Sequence, residues 1–301
     1  MIKVNCNLCG RDDYTVRFPA TTDTADLRVD AFRCTHSGYG SHARIVQCRH
    51  CELVYANPRW SPDVVLDAYA AVEDQTYVEE RLGRELTFRH HLRRMERVIG
   101  PPAGRSLLDV GAYIGVFVEV AGEAGWAAQG VEPSAWAAAE AQRRGLDVQV
   151  GTLVTADLTP ESFDVITLWD VIEHLADPAA ELDRARRLLR PGGWLVVHTM
   201  DIDAPIARLM GNRWPWLMDM HIYYFSGRTL GRMLREHGYE VAWQGTQGRY
   251  LRLGYLASRV EGMQAVLGRT ARTLVDRLGL RQAAIPVNFG DLRTFIGRRV
   301  E

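Results

Sequence analysis

A chain of 301 residues with 47% hydrophobic and 24% charged side chains has the composition of a folded globular protein, with length for one large domain or two smaller ones. A net charge of −1 excludes a global attraction to nucleic acid or to an anionic membrane, and no apolar run approaches the roughly 20 residues that span a bilayer. The N-terminus MIKVNCNLCG has no apolar signal region, so a cytoplasmic protein is expected, with its five cysteines as thiols or metal ligands rather than disulfides.

The first motif in chain order is a pair of C-x-x-C knuckles, Cys6/Cys9 and Cys48/Cys51, separated by 38 residues. Four thiolates on two tight turns suit tetrahedral Zn²⁺, and the strand-like runs ARIVQC and CELVYANP flank the second knuckle as in a zinc ribbon. A full set of four sulfurs leaves no position for water, which predicts a structural rather than a catalytic metal. Cys34, His36, His42 and His50, in or beside the long spacer, read as bystanders. The expected organisation is a zinc-ribbon module over residues 1–60, a helical linker or lid over 61–104, and the main domain over 105–301. In the linker, Ser61 is a good N-cap with Pro62 at the first helical position. A second helix is predicted from about Glu79 to Ile99, and GPPAGR breaks the chain after it.

From Arg105 the pattern alternates. Strand RSLLDVG, helix GVFVEVAGEAG, strand AAQGVEP, helix SAWAAAEAQRRG and strand DVQVG follow one another. Strand FDVITLWD comes next after a connection too short for a full helix. Helix PAAELDRARRLLR, with Asp177 as N-cap, then leads through PGG into strand WLVVHT. Such alternation means an α/β fold with a doubly wound parallel sheet covered on both faces, and ligands bind outside the carboxyl ends of its strands. The first strand ends in Asp109-Val-Gly111-Ala112-Tyr113-Ile-Gly115, where Tyr113 occupies the place at which a dinucleotide's pyrophosphate needs a bare backbone. The second ends in Glu132, 17 residues after Gly115, where a carboxylate can accept both hydroxyls of a ribose. A ligand with ribose and adenine but no phosphate fits this combination, and S-adenosylmethionine is such a ligand.

The segments LLDVGAYIG, GVEPS, FDVITLWDVIEHLADP and LLRPGGWLVVHT together resemble the class I S-adenosylmethionine-dependent methyltransferases, and HIYYFSGRTLGRMLREHGYEV and FGDLRTFIGRRV resemble their later segments. The resemblance implies a Rossmann-like sheet of seven strands. It also implies that Asp109, Gly111, Ala112, Tyr113 and Gly115 form the loop at the methionine end. Glu132 and Pro133 then lie at the ribose, Leu153 near the adenine, and Trp169 and Asp170 near the methionine portion. The position after Leu153, where the family often carries an acid, is Val154, so adenine is expected to rest on backbone and apolar contacts. Knuckles ahead of such a domain are similar to those of sugar C-methyltransferases of antibiotic pathways, which are longer and carry an additional C-terminal domain; no counterpart of that domain is expected here.

Methyl transfer needs an aimed acceptor and, where the acceptor carries a proton, a base. His221 in DMHIYYFS is the first candidate, His198 at a strand's carboxyl end the second, and Glu173 with His174 the third. Tyr224 is expected to orient the acceptor, and Trp214, Trp216, Tyr223 and Phe225 either wall its pocket or form a local apolar cluster. Tyr69, Tyr77 and Arg89 are placed to close over the cofactor's carboxylate, although a solvated helix face explains Arg89 as simply. Residues 249–301 hold ten Arg against four acids, which reads either as a solvated basic face or as a site for an anionic acceptor. The expected partner is a small molecule. An RNA base methyltransferase is the competing enzyme, disfavoured because residues 1–60 carry eight basic residues against six acids. A non-catalytic cofactor-binding scaffold is the third reading.

Overall fold

The computed structural model describes residues 1–22, 32–36 and 39–300. Apolar residues around the knuckles build an antiparallel sheet of β1 (Tyr14–Phe18), β2 (Ile45–Cys48) and β3 (Val54–Ala56). Cys48 closes β2 and Cys51 lies in the turn to β3, so the second knuckle is the hairpin between those strands. Helix α1 (Pro62–Ala70) begins at Ser61 and Pro62 as expected, although the Ser61 side chain makes no capping bond. The helix predicted from about Glu79 to Ile99 forms two residues later, and a separate short helix precedes it. Helix α2 (Gln75–Glu79) is capped by Asp74, which accepts from the Tyr77 N–H, and α3 (Arg81–Ile99) follows after Glu80.

The alternating region forms β4 (Ser106–Val110), α4 (Val116–Glu123), β5 (Ala127–Glu132), α5 (Ala135–Gln142) and β6 (Val148–Val150). The chain then returns through β7 (Phe163–Trp169), α6 (Pro178–Leu188) and β8 (Leu189–Met200), with no helix between β6 and β7. Helix α7 (Pro205–Met210), the two-residue β9 (Tyr223–Tyr224) and α8 (Gly227–Glu236) lead to β10 (Tyr239–Thr246). Strand β11 (Arg249–Arg252), helices α9 (Leu253–Met263) and α10 (Ala265–Arg277) and strand β12 (Ala284–Val287) form an excursion before β13 (Leu292–Arg299).

The large sheet has the order β10-β13-β8-β7-β4-β5-β6, with β13 antiparallel to both neighbours and the rest parallel. Strands of a sheet covered on both faces carry continuous apolar runs, which is why FDVITLW is buried almost throughout. On one face α3 sets Leu92, Met95 and Ile99 against Leu107, Phe117 and Val196. The chain leaves β4 outward to β5 and β6 and returns to β7 on the other side, so the point where strand order reverses lies between β4 and β7.

Two connections tie peripheral elements to this frame. Strand β9 pairs with β3 in the register Val54 to Tyr224 and Tyr55 to Tyr223, so the N-terminal sheet takes its fourth strand from the segment before α8. Cys6, Val46, Leu53 and Tyr55 accordingly share one core with Leu168, Ile172 and Tyr223. Strand β11 runs along α3, where the Tyr250 N–H donates to Thr87 Oγ1 at 2.8 Å.

Candidate active site

The loop after β4 is held by backbone geometry that only some residues tolerate. Gly111 and Gly115 have φ of +69° and +75°, and a Cβ on Gly115 would come within 2.6 Å of Leu146 Cδ1 and 3.0 Å of Ala141 Cβ. Glycine therefore lets α4 sit against α5. Between them Tyr113 also has a positive φ of 50°, a strained conformation for a large side chain. Glu132 at the end of β5 holds it there. The Tyr113 N–H donates to Glu132 Oε2 at 2.9 Å, and the Ser134 N–H donates to Oε1 at 2.8 Å. Glu132 is fully buried, and burial pushes its carboxyl up to about 7 against the opposite pull of those two N–H groups. Asp109 is buried beneath the loop and pushed up to about 8 by burial; Thr167 Oγ1 donates to it at 2.6 Å, linking β4 to β7.

A cavity opens at the carboxyl ends of β4, β7 and β8, beside the strand-order reversal. Gly111, Tyr113, Trp169, Asp170, His198, His221 and Tyr77, all expected from the sequence, line it together. Tyr77 meets Tyr113 edge to face with ring centroids 4.4 Å apart, and the Arg84 guanidinium lies 3.4 Å over the Tyr77 ring. Tyr69 and Cys34 line the same wall, the thiol pushed up to about 12 by burial. Helices α2 and α3 thus cover the strand ends, and Arg252 Nε of β11 donates to Glu80 Oε2 at 2.9 Å to hold them.

Several polar atoms in the cavity wall are buried without a hydrogen-bond partner: His91 Nδ1, Tyr113 OH, Trp169 Nε1, Glu173 Oε2 and His198 Nε2. Buried polar atoms normally find partners, so their convergence on one cavity marks a place for a polar ligand. His198 is held neutral, its basicity driven well down by burial and then by Arg249, and its Nδ1 shares a 2.8 Å hydrogen bond with Thr294 Oγ1. His221 is pushed down to about 3, first by burial and next by His174. Its Nδ1 donates to the Trp216 carbonyl at 2.7 Å, which leaves Nε2 with its lone pair. His174 repeats the arrangement, with Nδ1 donating to the Met220 carbonyl at 2.8 Å. Burial, and then the charge of Asp170, raises the Glu173 carboxyl well above the ordinary range.

Other expected residues lie elsewhere. Asp109, Ala112, Gly115 and Glu132 sit behind the cavity wall rather than in it, and Leu153 joins the main core while Pro133 follows β5. Tyr224 is buried outside the cavity, its hydroxyl donating to the Met218 carbonyl at 3.2 Å, because β9 is covered on both faces. Of the aromatic cluster only Trp216 reaches the cavity; Trp214 and Trp216 both donate their Nε1–H to Asp291 Oδ2, at 2.9 and 3.0 Å. Arg89 pairs on the surface with Glu85 at 2.9 Å. The basic C-terminal segment is largely neutralised in place: Arg249 NH2 donates to Asp170 Oδ1 at 2.7 Å and Arg293 Nε to Asp201 Oδ2 at 2.7 Å. Sequence reading missed Arg84, His91 and Arg249 as cavity residues; His91 stacks on Trp169 at 5.1 Å, and no local motif announces any of the three.

At the N-terminal sheet the cysteine sulfurs lie within 4.8 Å of one another, with Cys6 Sγ 3.3 Å from Cys51 Sγ and Cys9 Sγ 3.5 Å from Cys48 Sγ. Zn–S bonds of about 2.3 Å place tetrahedral sulfurs roughly 3.8 Å apart, so the four thiols fit the metal they were expected to hold. The bystanders stay out of the cluster: His42 Nδ1 donates to the Ala43 carbonyl at 2.8 Å, and His50 Nε2 lies 3.1 Å from Asp13 Oδ2.

Seven strands in this order with one antiparallel member, a glycine loop after the central strand and an acid ending the next, define the class I S-adenosylmethionine-dependent methyltransferase fold. The chain belongs to the family described as the methyltransferase domain, which matches residues 77–244, more than half of it. It is 29% identical over 114 residues to a ubiquinone biosynthesis O-methyltransferase of Paracidovorax citrulli, covering 35% of this chain and 48% of that protein. The same-named protein of Methylococcus capsulatus is 34% identical over 106 residues, covering 33% and 45%. The chain spans about half the length of these curated relatives. The fold is shared with an S-adenosylmethionine-dependent methyltransferase of Archaeoglobus fulgidus (TM-score 0.51, 15% identity, 75% of this chain and 100% of that one). It is also shared with the complex of a methyltransferase and the Trm112 activator of Haloferax volcanii (TM-score 0.54, 17% identity, 78% and 98%). Among the described residues no helix is long and apolar enough to cross a membrane.

Proposed function

We propose that this protein transfers the methyl group of S-adenosylmethionine to a small-molecule acceptor. The carrying observation is the cavity at the strand-order reversal, walled by the strained Tyr113 loop and by buried polar atoms that lack partners. The cofactor, when bound, supplies a methyl already activated by its sulfonium charge. The loop from Gly111 to Gly115, with Trp169 and Asp170, would hold its methionine end. Glu132, held behind the wall by the Tyr113 and Ser134 N–H groups, would meet the ribose once the Tyr113 loop moves aside, since each of its oxygens accepts a single N–H here and keeps further acceptor capacity. Tyr77 and Arg84 would exclude water from above. Toward the acceptor the chain presents Glu173, His174 and His221, with His221 neutral and its Nε2 lone pair available to a proton. The relatives' O-methyltransferase names support an oxygen acceptor. The four cysteines would hold a structural zinc in a ribbon over residues 1–60, ahead of a lid over 61–104 and a catalytic domain over 105–301.

The test is tritium transfer from labelled S-adenosylmethionine to a metabolite extract and, separately, to total RNA, each at low and moderate salt, with calorimetry of S-adenosylhomocysteine alongside. Label in small molecules, lost in His221→Ala by ~10²–10⁴ with cofactor affinity kept, is the expected result. Label confined to RNA, with steep salt dependence, would replace this reading with the RNA one. No affinity for S-adenosylhomocysteine would remove the function altogether.

A further inference from the structure

We infer that Glu173, His174 and His221 form a site for one divalent first-row transition-metal ion, placed to receive the acceptor's oxygen. The acceptor role rests on the function proposed above; the ion site does not. The three residues offer ligand atoms within 4.8 Å of one another, and all three line the cavity. Two segments bring them together by main-chain bonds. The Glu173 carbonyl accepts the N–H groups of Ile222 at 3.0 Å and Tyr223 at 3.1 Å, and His174 Nδ1 reaches the Met220 carbonyl at 2.8 Å.

The tautomers are set. A carbonyl only accepts, so Nδ1 carries the proton in both His174 and His221, and both Nε2 atoms keep lone pairs. An imidazole whose other nitrogen donates to a backbone carbonyl is the arrangement of a metal-binding histidine. The imidazole centroids lie 4.8 Å apart. Glu173 is 2% exposed, and its Oε2 is buried without a partner. Two imidazole lone pairs and the unpartnered Oε2 converge on one place, a donor set that a cation can fill in exchange for the proton that burial favours on Glu173. The nearby guanidinium of Arg249 is engaged, donating to Asp170 at 2.7 Å and lying 5.0 Å over the Trp216 ring.

Two nitrogens and one oxygen suit Zn²⁺, Fe²⁺, Co²⁺ or Mn²⁺ rather than the all-oxygen preference of Ca²⁺ and Mg²⁺. Bonds of about 2.0–2.2 Å require donors no more than roughly 4.3 Å apart, so the cluster closes by less than about an ångström to grip an ion. Three protein ligands leave open positions, as catalytic metals require. An acceptor hydroxyl bound there loses its proton to water more readily: the O–H bond breaks, its electron pair stays on oxygen, and the ion offsets the new charge. With the ion bound, His221 acts through its Nε2 lone pair as a ligand, and the ion rather than the imidazole promotes loss of the acceptor's proton.

The probe is Mn²⁺, which competes poorly for a thiolate site. Full-length protein, dialysed against EDTA and assayed for the zinc it retains, is titrated with MnCl₂ while the free-ion electron paramagnetic resonance signal is followed. One bound Mn²⁺ per chain is expected, with ¹⁴N couplings from imidazole in the wild-type protein. Glu173→Gln and His174→Ala should each weaken binding on the order of tenfold or more. Their melting curves and S-adenosylhomocysteine affinity show whether they are folded, and the ¹⁴N couplings decide the question in wild type should they not be. Absence of Mn²⁺ binding, binding without imidazole couplings, or unchanged affinity in folded variants overturns the site. Protein that binds S-adenosylhomocysteine but no Mn²⁺ keeps the proposed function and loses the inference; the reverse result keeps the ion site and loses the function.

Discussion

Replacing Glu132 by alanine removes the acceptor of two buried backbone N–H groups, those of Tyr113 and Ser134, at 2.9 and 2.8 Å. Well above pH 7, where the carboxyl that burial lifts to about 7 is ionised, a hydrogen bond to a charged group contributes about 1.5–3 kcal/mol, so the pair stands for roughly 3–6 kcal/mol. That is a large share of a typical domain stability of about 5–15 kcal/mol. At about 2–4 °C per kcal/mol for a domain of this size, Glu132→Ala should melt on the order of 10 °C below wild type. Glu132→Gln keeps one carbonyl oxygen for one of the two N–H groups and should lose about half as much. Scanning calorimetry reads the stability effect. Titration with S-adenosylhomocysteine, at a temperature where Glu132→Gln is folded, reads the ribose effect as a tenfold to hundredfold weaker affinity, on the order of one charge-assisted bond. A Glu132→Ala melting point within about 2 °C of wild type would show that the strained Tyr113 loop stands without this carboxylate, and would refute the reasoning.

Asp109→Asn tests the buried carboxyl under the loop. Burial raises it from 3.8 to about 8, so the folded state binds the proton more tightly than the unfolded chain; its contribution is complete below about pH 4 and is lost as pH rises towards 8. The variant, which still accepts from Thr167, should gain on wild type by up to about 1.4 kcal/mol per pH unit through that window, and parallel urea-denaturation curves across pH would contradict the assignment. If the cysteines hold zinc as proposed, the wild-type protein should carry one zinc by elemental analysis, and Cys51→Ser should lower both the metal content and the melting point, since metal binding and local folding are coupled; full zinc content in the variant would remove Cys51 from the ligand set. Gly83→Ala sets two effects against each other. Helix propensity favours alanine by about 1 kcal/mol, but the new Cβ would lie 2.8 Å from the Tyr250 carbonyl oxygen, and overpacking costs about 1–3 kcal/mol. The clash should win and loosen β11, and a gain in denaturation midpoint would show that β11 yields freely.

The large sheet was legible because its signals are local. Each apolar run, cap and glycine turn lies within a few residues of its element, and the strand ends then follow from the topology of parallel sheets. The knuckles were legible because ligand spacing is itself a local constraint. What escaped was set by distant chain segments. Arg249 enters the cavity only because β11 lies along α3, and Gly83 is needed in that helix because of Tyr250, far away in sequence. Glu132 was recognised as an acid at a strand end, but its grip on the Tyr113 N–H depends on a loop conformation that no spacing reveals. Tyr224 reads from sequence as an orienting hydroxyl at the acceptor because a two-residue strand has no periodicity to betray it; its pairing with Val54 places it in the core.

That pairing joins the N-terminal sheet to the segment that carries His221. Strand β9 begins two residues after His221, and its neighbour β3 emerges from the hairpin that carries Cys48 and Cys51. Stripping or oxidising the cysteine cluster therefore frays the edge against which the His221 segment is registered, while the glycine loop and Glu132 at the far strands keep their contacts. Loss of the zinc proposed for that cluster should then reach the chemistry as a mispositioned acceptor rather than as a lost cofactor, which would give the thiol state of one end of the chain a route to the turnover of the other.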